Sequence, residues 1–169
     1  MINTVYFSLG SNIGRRKDNL KKAVKLLNEC GIKISKISSF YQTEPLSKIK
    51  QRYFLNICIE VETELSPEKL LKACKSIEKQ IGRKPHPANR NDNYEPRIID
   101  VDILLYAQKI IRKRNLEIPH KNMHLRRFVL EPLNEIAPNA YNPKLHKTVK
   151  ELLKGCMDNS KVMLLGEHL

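Results

Sequence analysis

The strongest constraint on the fold is a period-two alternation that recurs in three stretches of the chain. In TVYFSLG (4–10), Val5, Phe7 and Leu9 share one face, and Gly10 ends the run. In FLNICIEVE (54–62), Leu55, Ile57, Ile59 and Val61 point one way, while Phe54, Asn56, Cys58 and Glu60 point the other. In IIDVDILLY (98–106), Ile99, Val101, Ile103 and Leu105 share a face, and Asp100 and Asp102 stand on the opposite one. Successive side chains of a strand leave opposite faces of a sheet, so each stretch reads as a strand with one face committed to a core. IKISKISSFYQT (32–43) reads as a further strand.

Helical spacing takes over between these runs. Leu20, Ala23, Val24 and Leu27 recur at helix period between Arg15 and Cys30, and Gly31 fits the stop. SPEKLLKACKSIEKQIG puts Ser66 at the N-cap, Pro67 at the first helical position and Glu68 in the first turn, with Gly82 closing the helix. The order strand, helix, strand, strand, helix, strand predicts an α+β, ferredoxin-like split βαβ sandwich, an antiparallel sheet with helices packed on one face. Beyond it the sequence predicts a small hairpin over 109–118, short helices in RFVLEPLNEIAP and TVKELLKGC, and a tail over 157–169 that is given no element and is read as flexible. The segment 83–97, RKPHPANRNDNYEPR, has three prolines, three asparagines and no periodicity, so it reads as a long loop of the kind that is functional or disordered.

A chain of 169 residues buries about 70% of the surface its unfolded form exposes, enough to fold as a single domain, 1–169, without a staple. Cys30, Cys58, Cys74 and Cys156 are scattered, with no Cys-x-x-Cys pair, which argues against zinc and against a disulfide framework. No apolar run approaches the ~18 residues of a membrane span, and the first residues lack a basic-then-apolar leader, so the expectation is a cytoplasmic protein with no membrane partner. Lys and Arg number 31 against 18 Asp and Glu, a net +13. That excess points to an anionic partner: nucleic acid, nucleotide or phosphorylated substrate.

A carboxylate removed from water without a partner costs several kcal/mol, so Asp100 and Asp102 in an apolar strand need a reason. Their side chains fall about 7 Å apart on one face. Two like charges so placed invite a divalent cation, and a site of one or two carboxylates suits Mg²⁺ with substrate phosphates; the plain alternative is a solvated sheet face bearing two acids by chance. Arg97, Arg83 and Arg90 lie just before the strand, and His120, Arg126 and Arg127 follow it. Acids that hold a metal beside guanidiniums that hold phosphates are the recurring apparatus of phosphoryl transfer. LGSNIG lacks the Gly-x-x-x-x-Gly-Lys-Ser/Thr pattern of a P-loop. Glu78 falls on the buried stripe of Leu71, Cys74 and Ile81, where it would reach outward or pair with Arg83. Phe54 and Asn56, together on the non-core face of their strand, suit a flat heterocycle that stacks on the ring and bonds the amide.

FSLGSNIG, SSFYQTEPL, FLN, SIEKQIGR, PRIIDVDILLY and IPHKNMHLRRFVLEPLNEIAP occur in that order. Together, from about Val5 to Pro138, they closely resemble the 6-hydroxymethyl-7,8-dihydropterin pyrophosphokinases of folate biosynthesis. The resemblance implies a ferredoxin-like fold and transfer of the pyrophosphoryl group of ATP to the hydroxymethyl oxygen of the pterin, releasing AMP. It implies that Asp100 and Asp102 hold two Mg²⁺ ions against the ATP phosphates, and that Arg83 and Arg97 engage the triphosphate and the transition state. His120 and Arg126 match further phosphate contacts, and Glu78 an acid at the nucleotide site. Phe54 and Phe128 match the aromatics that sandwich the pterin, Asn56 the amide that reads its edge, and the Thr43–Leu46 turn a source of backbone contacts. Tyr94-Glu95-Pro96-Arg97 stands where such proteins commonly have Trp-Gly-Pro-Arg, and Tyr94 can still stack on the pterin. The 82–97 loop is longer than in compact members, and Lys121 replaces an aromatic after His120.

Two other classes compete. A basic ferredoxin-like domain could recognise RNA, but no segment carries the basic-Gly-aromatic pattern of such modules, and two aspartates would oppose phosphates. Another metal-dependent nucleotidyl- or phosphotransferase could use the same Asp-x-Asp, but only a flat heterocyclic acceptor needs Phe54, Asn56 and Phe128 together. The expected partners are therefore ATP and the dihydropterin, bound by a monomer, with no nucleic acid.

Overall fold

The structure is a computed structural model that describes residues 1–45, 50–84 and 96–169. β1 (Asn3–Ser11), β4 (Phe54–Thr63) and β5 (Asp100–Tyr106) lie side by side in an antiparallel sheet, with β1 between the other two and β5 at one end of the strand order. The stretch 32–43 divides into β2 (Lys33–Ile37) and β3 (Tyr41–Thr43), both paired with β4. The break falls at Ser38, whose Oγ accepts from the Cys58 amide at 2.9 Å and so takes over a bond of the ladder. Residues 162–164, within the stretch given no element from sequence, form β10 (Val162–Leu164) on the outer edge of β3.

α1 (Arg16–Glu29) and α2 (Pro67–Ile81) lie on one face of the sheet, as the alternation requires. Leu20, Ala23 and Leu27 of α1 and Leu70, Cys74 and Ile77 of α2 pack against Val5, Phe7, Leu9, Ile57, Ile59 and Val61, all inaccessible to solvent. The start of α2 follows its sequence: Ser66 Oγ accepts from the Lys69 amide at 3.4 Å, and Pro67 needs no donor there. Its end is set by Gly82 at φ 111, a left-handed conformation that L side chains resist. The turn lets the Arg83 amide bond the Glu78 carbonyl at 2.9 Å and folds the chain back over the helix.

The hairpin of β6 (Ile111–Lys113) and β7 (Leu116–Ile118) follows β5. α3 (Arg127–Ile136) and α4 (Val149–Lys154) come next, separated by a minimal hairpin of β8 (Tyr141–Asn142) and β9 (Lys147–Thr148). α3 packs on the opposite face of the sheet, over Cys58, Leu104 and Leu105. Here the sequence reading of β5 needs correction. Leu105 does not share the face of Ile99, Val101 and Ile103; it joins Leu104 beneath α3, and Tyr106 returns to the α1/α2 side. The cause is a bulge: Tyr6 pairs with Leu105 and Phe7 with Ile103, so Leu104 is the extra residue and the alternation changes phase. Gly10 also lies within β1 rather than ending it, opposite Asn56 on one side and Asp100 on the other.

Candidate active site

α3 covers only part of the second sheet face, and the uncovered part carries polar residues of the adjacent strands β4, β1 and β5. Ser8, Gly10, Phe54, Asn56, Asp100 and Asp102 line a hollow there, closed by Thr43 and Glu44 from β3 and its exit, by Arg97, and by Arg126 and Phe128 where α3 begins. A second hollow opens on the far side of Asp102. It is walled by Leu71 and Lys75 of α2, by Val101 and Ile103, by Lys113, Arg114, Asn115, Leu116 and Glu117 of the β6–β7 hairpin, and by His120 and Lys121. Asp102 belongs to both.

In the first hollow, Phe54 and Phe128 are half-buried and Asn56 is buried. Asn56 Nδ2 donates to Thr43 Oγ1 at 2.7 Å, which fixes the amide and directs Oδ1 to the hollow. A Cβ on Gly10 would stand 2.5 Å from that Oδ1, so only glycine leaves the amide its place. The Arg126 guanidinium lies 5.7 Å from the centre of the Phe128 ring.

The two aspartates have unlike surroundings. Asp100 Oδ1 accepts from Arg83 Nη1 at 2.6 Å and Oδ2 from Arg97 Nη1 at 2.5 Å. Burial acts to raise its pKa, but Arg97 and Arg83 outweigh it and hold the carboxyl below the ordinary carboxylate range. Asp102 has no such hydrogen bond or ion pair among the described residues. Burial and the neighbouring Asp100 charge push it up to about 7. Lys75 and Arg126 act on it in the other direction, so that when deprotonated it is a carboxylate facing both hollows between two cations that it does not bond.

Glu78 and Arg83 stand behind this pair. Glu78 is 3% exposed; its Oε1 accepts from Arg83 Nη1 at 2.5 Å and from the Val101 amide at 2.9 Å, and its Oε2 from Lys75 Nζ at 2.9 Å. It pairs with Arg83 and does not reach outward to solvent. His120 donates its amide to Leu104 at 2.9 Å, and its Nδ1 accepts from the Asn122 amide at 3.3 Å. Burial and the nearby Arg126 lower its pKa to about 4, so at neutral pH the ring is uncharged, with its proton on Nε2.

Leu46 and Tyr94, read as pterin-side residues, lie outside the described residues, as do Arg90 and Glu95. Sequence reasoning missed Gly10 and Ser8 in the first hollow and Lys75 in the second, while Glu44 of the first falls within the Thr43–Leu46 turn it named. It also missed Asn12. Its side-chain Oδ1, on a residue 2% exposed, accepts from the Arg97 amide at 2.6 Å, while the Asn12 backbone amide donates to the Arg97 carbonyl at 2.9 Å. Asn12 thus staples Arg97 to the end of β1. Its place inside LGSNIG was the available signal, but nothing in the pattern says which backbone it holds.

The donor set fits a hard divalent cation. Two carboxylates share one wall, one of them free of hydrogen bonds and ion pairs among the described residues, and oxygen donors of this kind suit Mg²⁺. Among the described residues no third His, Cys, Asp or Glu completes a cage. The remaining ligands would have to come from substrate and water, as they do where Mg²⁺ travels with phosphates.

Known proteins resemble this chain in sequence and in fold. The family model for 7,8-dihydro-6-hydroxymethylpterin-pyrophosphokinase (HPPK) matches residues 6–138. The 2-amino-4-hydroxy-6-hydroxymethyldihydropteridine pyrophosphokinase of Aquifex aeolicus is 40% identical over 148 residues, 88% of this chain and 89% of that protein. Its counterpart in Bacillus subtilis is 41% identical over 137 residues, 80% of this chain and 79% of the relative. The crystal structure of Plasmodium falciparum HPPK-DHPS wild type with pteroate superposes with a TM-score of 0.72 at 18% identity, covering 92% of this chain. This chain spans 42% of that one, and at such identity the likeness is one of fold.

Proposed function

The chain belongs to the 7,8-dihydro-6-hydroxymethylpterin-pyrophosphokinase family, and we propose that the two hollows meeting at Asp102 are where it transfers pyrophosphate from ATP to the hydroxyl of 6-hydroxymethyl-7,8-dihydropterin. The products are AMP and the pterin diphosphate, a step of folate biosynthesis. The hydroxyl oxygen bonds to the β-phosphorus, the bond to the α-phosphate oxygen breaks, AMP leaves and the hydroxyl proton is released.

The pterin occupies the first hollow. Phe54 and Phe128 stack on its two faces, and Asn56, fixed by Thr43, bonds its edge, with Leu46 and Tyr94 completing that side. A flat heterocycle explains why half-buried aromatics flank a buried amide. ATP occupies the second hollow, where Leu71, Ile103 and Leu116 offer apolar walls and Lys75, Lys113, Arg114 and Lys121 a cationic rim. His120 donates from Nε2 to a phosphate oxygen without adding charge. Arg83, Arg97 and Arg126 hold the phosphates being transferred, and guanidiniums are suited to that by their forked donors.

Asp100 and Asp102 would hold Mg²⁺, two ions in our reading, and the metal supplies neutralisation of the charge spread over the transferred group. Glu78 keeps Arg83 aligned, and Asn12 keeps Arg97 at the first hollow, against Asp100. The remaining contribution is position: the acceptor hydroxyl and the β-phosphorus meet at one wall, which removes the entropic cost of bringing them together. The reading takes 1–169 as one pyrophosphokinase domain acting as a cytoplasmic monomer, without nucleic-acid or membrane partner.

The observation that carries this reading is Asp102, an acid in the wall shared by an aromatic hollow and a cationic one, with Arg126 on one side and Lys75 on the other. Nucleotide products should be resolved from ATP incubated with and without the dihydropterin and Mg²⁺. AMP should form only when all three are present. ADP in its place would move the attack to the γ-phosphorus and make the enzyme an ordinary kinase. No nucleotide product would leave a binding protein.

A further inference from the structure

The last nine residues take no part in the roles above, yet they are sewn to the strand that ends in Thr43. β3 is only three residues long, and β4 pairs one of its edges. β10 pairs the other, with Val162 opposite Thr43 and Leu164 opposite Tyr41. The stitching continues on both sides. The Glu44 amide donates to the Lys161 carbonyl at 3.2 Å, and the Lys161 amide to Glu44 Oε1 at 2.8 Å. The Leu165 amide donates to the Phe40 carbonyl, and the Phe40 amide to the Glu167 carbonyl, each at 2.9 Å. Every residue from Phe40 to Glu44 therefore faces the C-terminal segment.

That segment is itself anchored away from β3. Leu165 and Leu169 pack against the core between sheet and helices, Glu167 pairs with Lys17 of α1, and His168 Nε2 lies 3.4 Å from Ser39 Oγ. β3 is thus tied through the chain end to α1. A three-residue strand with one edge open opens easily, because few bonds hold it. Its last residue is Thr43, the partner that fixes Asn56.

We propose that residues 161–169 are a clasp that positions Thr43, and through it the Asn56 amide, for the pterin. The proposal rests on placing the pterin in the first hollow. The clasp touches no substrate; it holds β3 in register, so that the Asn56 Oδ1 stays aimed at the heterocycle. The walls of the ATP hollow belong to α2, β5, the β6–β7 hairpin and the His120 segment, none of which the clasp pairs with.

The test is steady-state AMP release with each substrate varied in turn. It compares the full chain, a chain ended after Ser160, and full-length Lys161→Pro. The proline removes the amide that Glu44 accepts and leaves Leu165 and Leu169 in the core. Ending the chain should raise the pterin KM about tenfold, and Lys161→Pro about threefold, with the ATP KM within about twofold of the parent. A pterin KM unchanged in a folded variant would overturn the clasp. So would a parallel loss in both KM values and kcat, which is what general destabilisation produces. If the shortened chain does not fold, Lys161→Pro decides alone. A full chain that makes no AMP would instead overturn the pterin reading, before any variant is compared.

Discussion

Asp100 and Asp102 are two residues apart on one face of one strand, and they titrate in opposite directions. Two guanidiniums keep Asp100 charged, whereas burial beside that charge holds Asp102 protonated up to about pH 7. Asp102 therefore binds a proton in the folded chain that the unfolded chain, with its carboxylate pKa at 3.8, has already released. The stability this contributes is fully present below about pH 4 and is lost as pH rises through about 7. Thermal unfolding of the metal-free protein should show that loss between pH 4 and 7, and Asp102→Asn should remove it. The same variant should lose AMP release by about a hundredfold or more, since it removes an anionic oxygen that would hold the metal. A variant as active as the parent would remove Asp102 from the site. Gly10 makes a second residue-scale case. Gly10→Ala places a methyl 2.5 Å from Asn56 Oδ1, and the amide cannot turn away because it is buried and its Nδ2 is tied to Thr43. Its pterin KM should rise about tenfold while the ATP KM holds, as substrate titrations will show. The aspartates were legible because charge inside a period-two apolar run is conspicuous. Gly10 was not, because a glycine near the end of a strand reads as a stop until its two neighbouring strands are known.

At the scale of elements, the helix limits follow from local chemistry and could be read directly. Ser66 and Pro67 open α2, and Gly82 closes it in the left-handed region. Gly82 also sends Arg83 back to Glu78 and Asp100, so the cap and the site share one turn. Gly82→Ala should destabilise the fold by about 1–2 kcal/mol, measured by denaturant unfolding, and should lower kcat along with it by displacing Arg83. A loss of stability with full kcat would separate the cap from the chemistry. The bulge at Leu104 was illegible for a physical reason: a bulge is a mismatch between two strands, and β5 by itself shows only an unbroken apolar run. The division of 32–43 into β2 and β3 was hidden likewise, because Ser38 shows its role only when Cys58 lies beside it. β10 depends on β3 in the same way.

At the scale of the whole molecule, coverage decides where chemistry can occur. α1 and α2 cover one sheet face completely, and α3 stops short on the other, leaving open the ends of β1, β4 and β5 that bear the polar residues. The net charge of +13 acts on that opening from all sides. Its effect must differ between the two substrates, because ATP carries several negative charges and the pterin is close to neutral. Lys75, Lys113, Arg114 and Lys121 gather at the hollow proposed for ATP, while in the one proposed for the pterin Arg97 and Arg126 are offset by Glu44, Asp100 and Asp102 beside the aromatics and amide. Electrostatic capture is screened once the Debye length falls to about 10 Å or less, near 0.1 M salt. Raising salt from about 0.02 to about 0.3 M should therefore lower kcat/KM for ATP several-fold and leave that for the pterin nearly constant. Equal salt sensitivity for both substrates would mean that the positive charge is background composition, and that capture of ATP depends on the arginines at Asp100 and Asp102 alone.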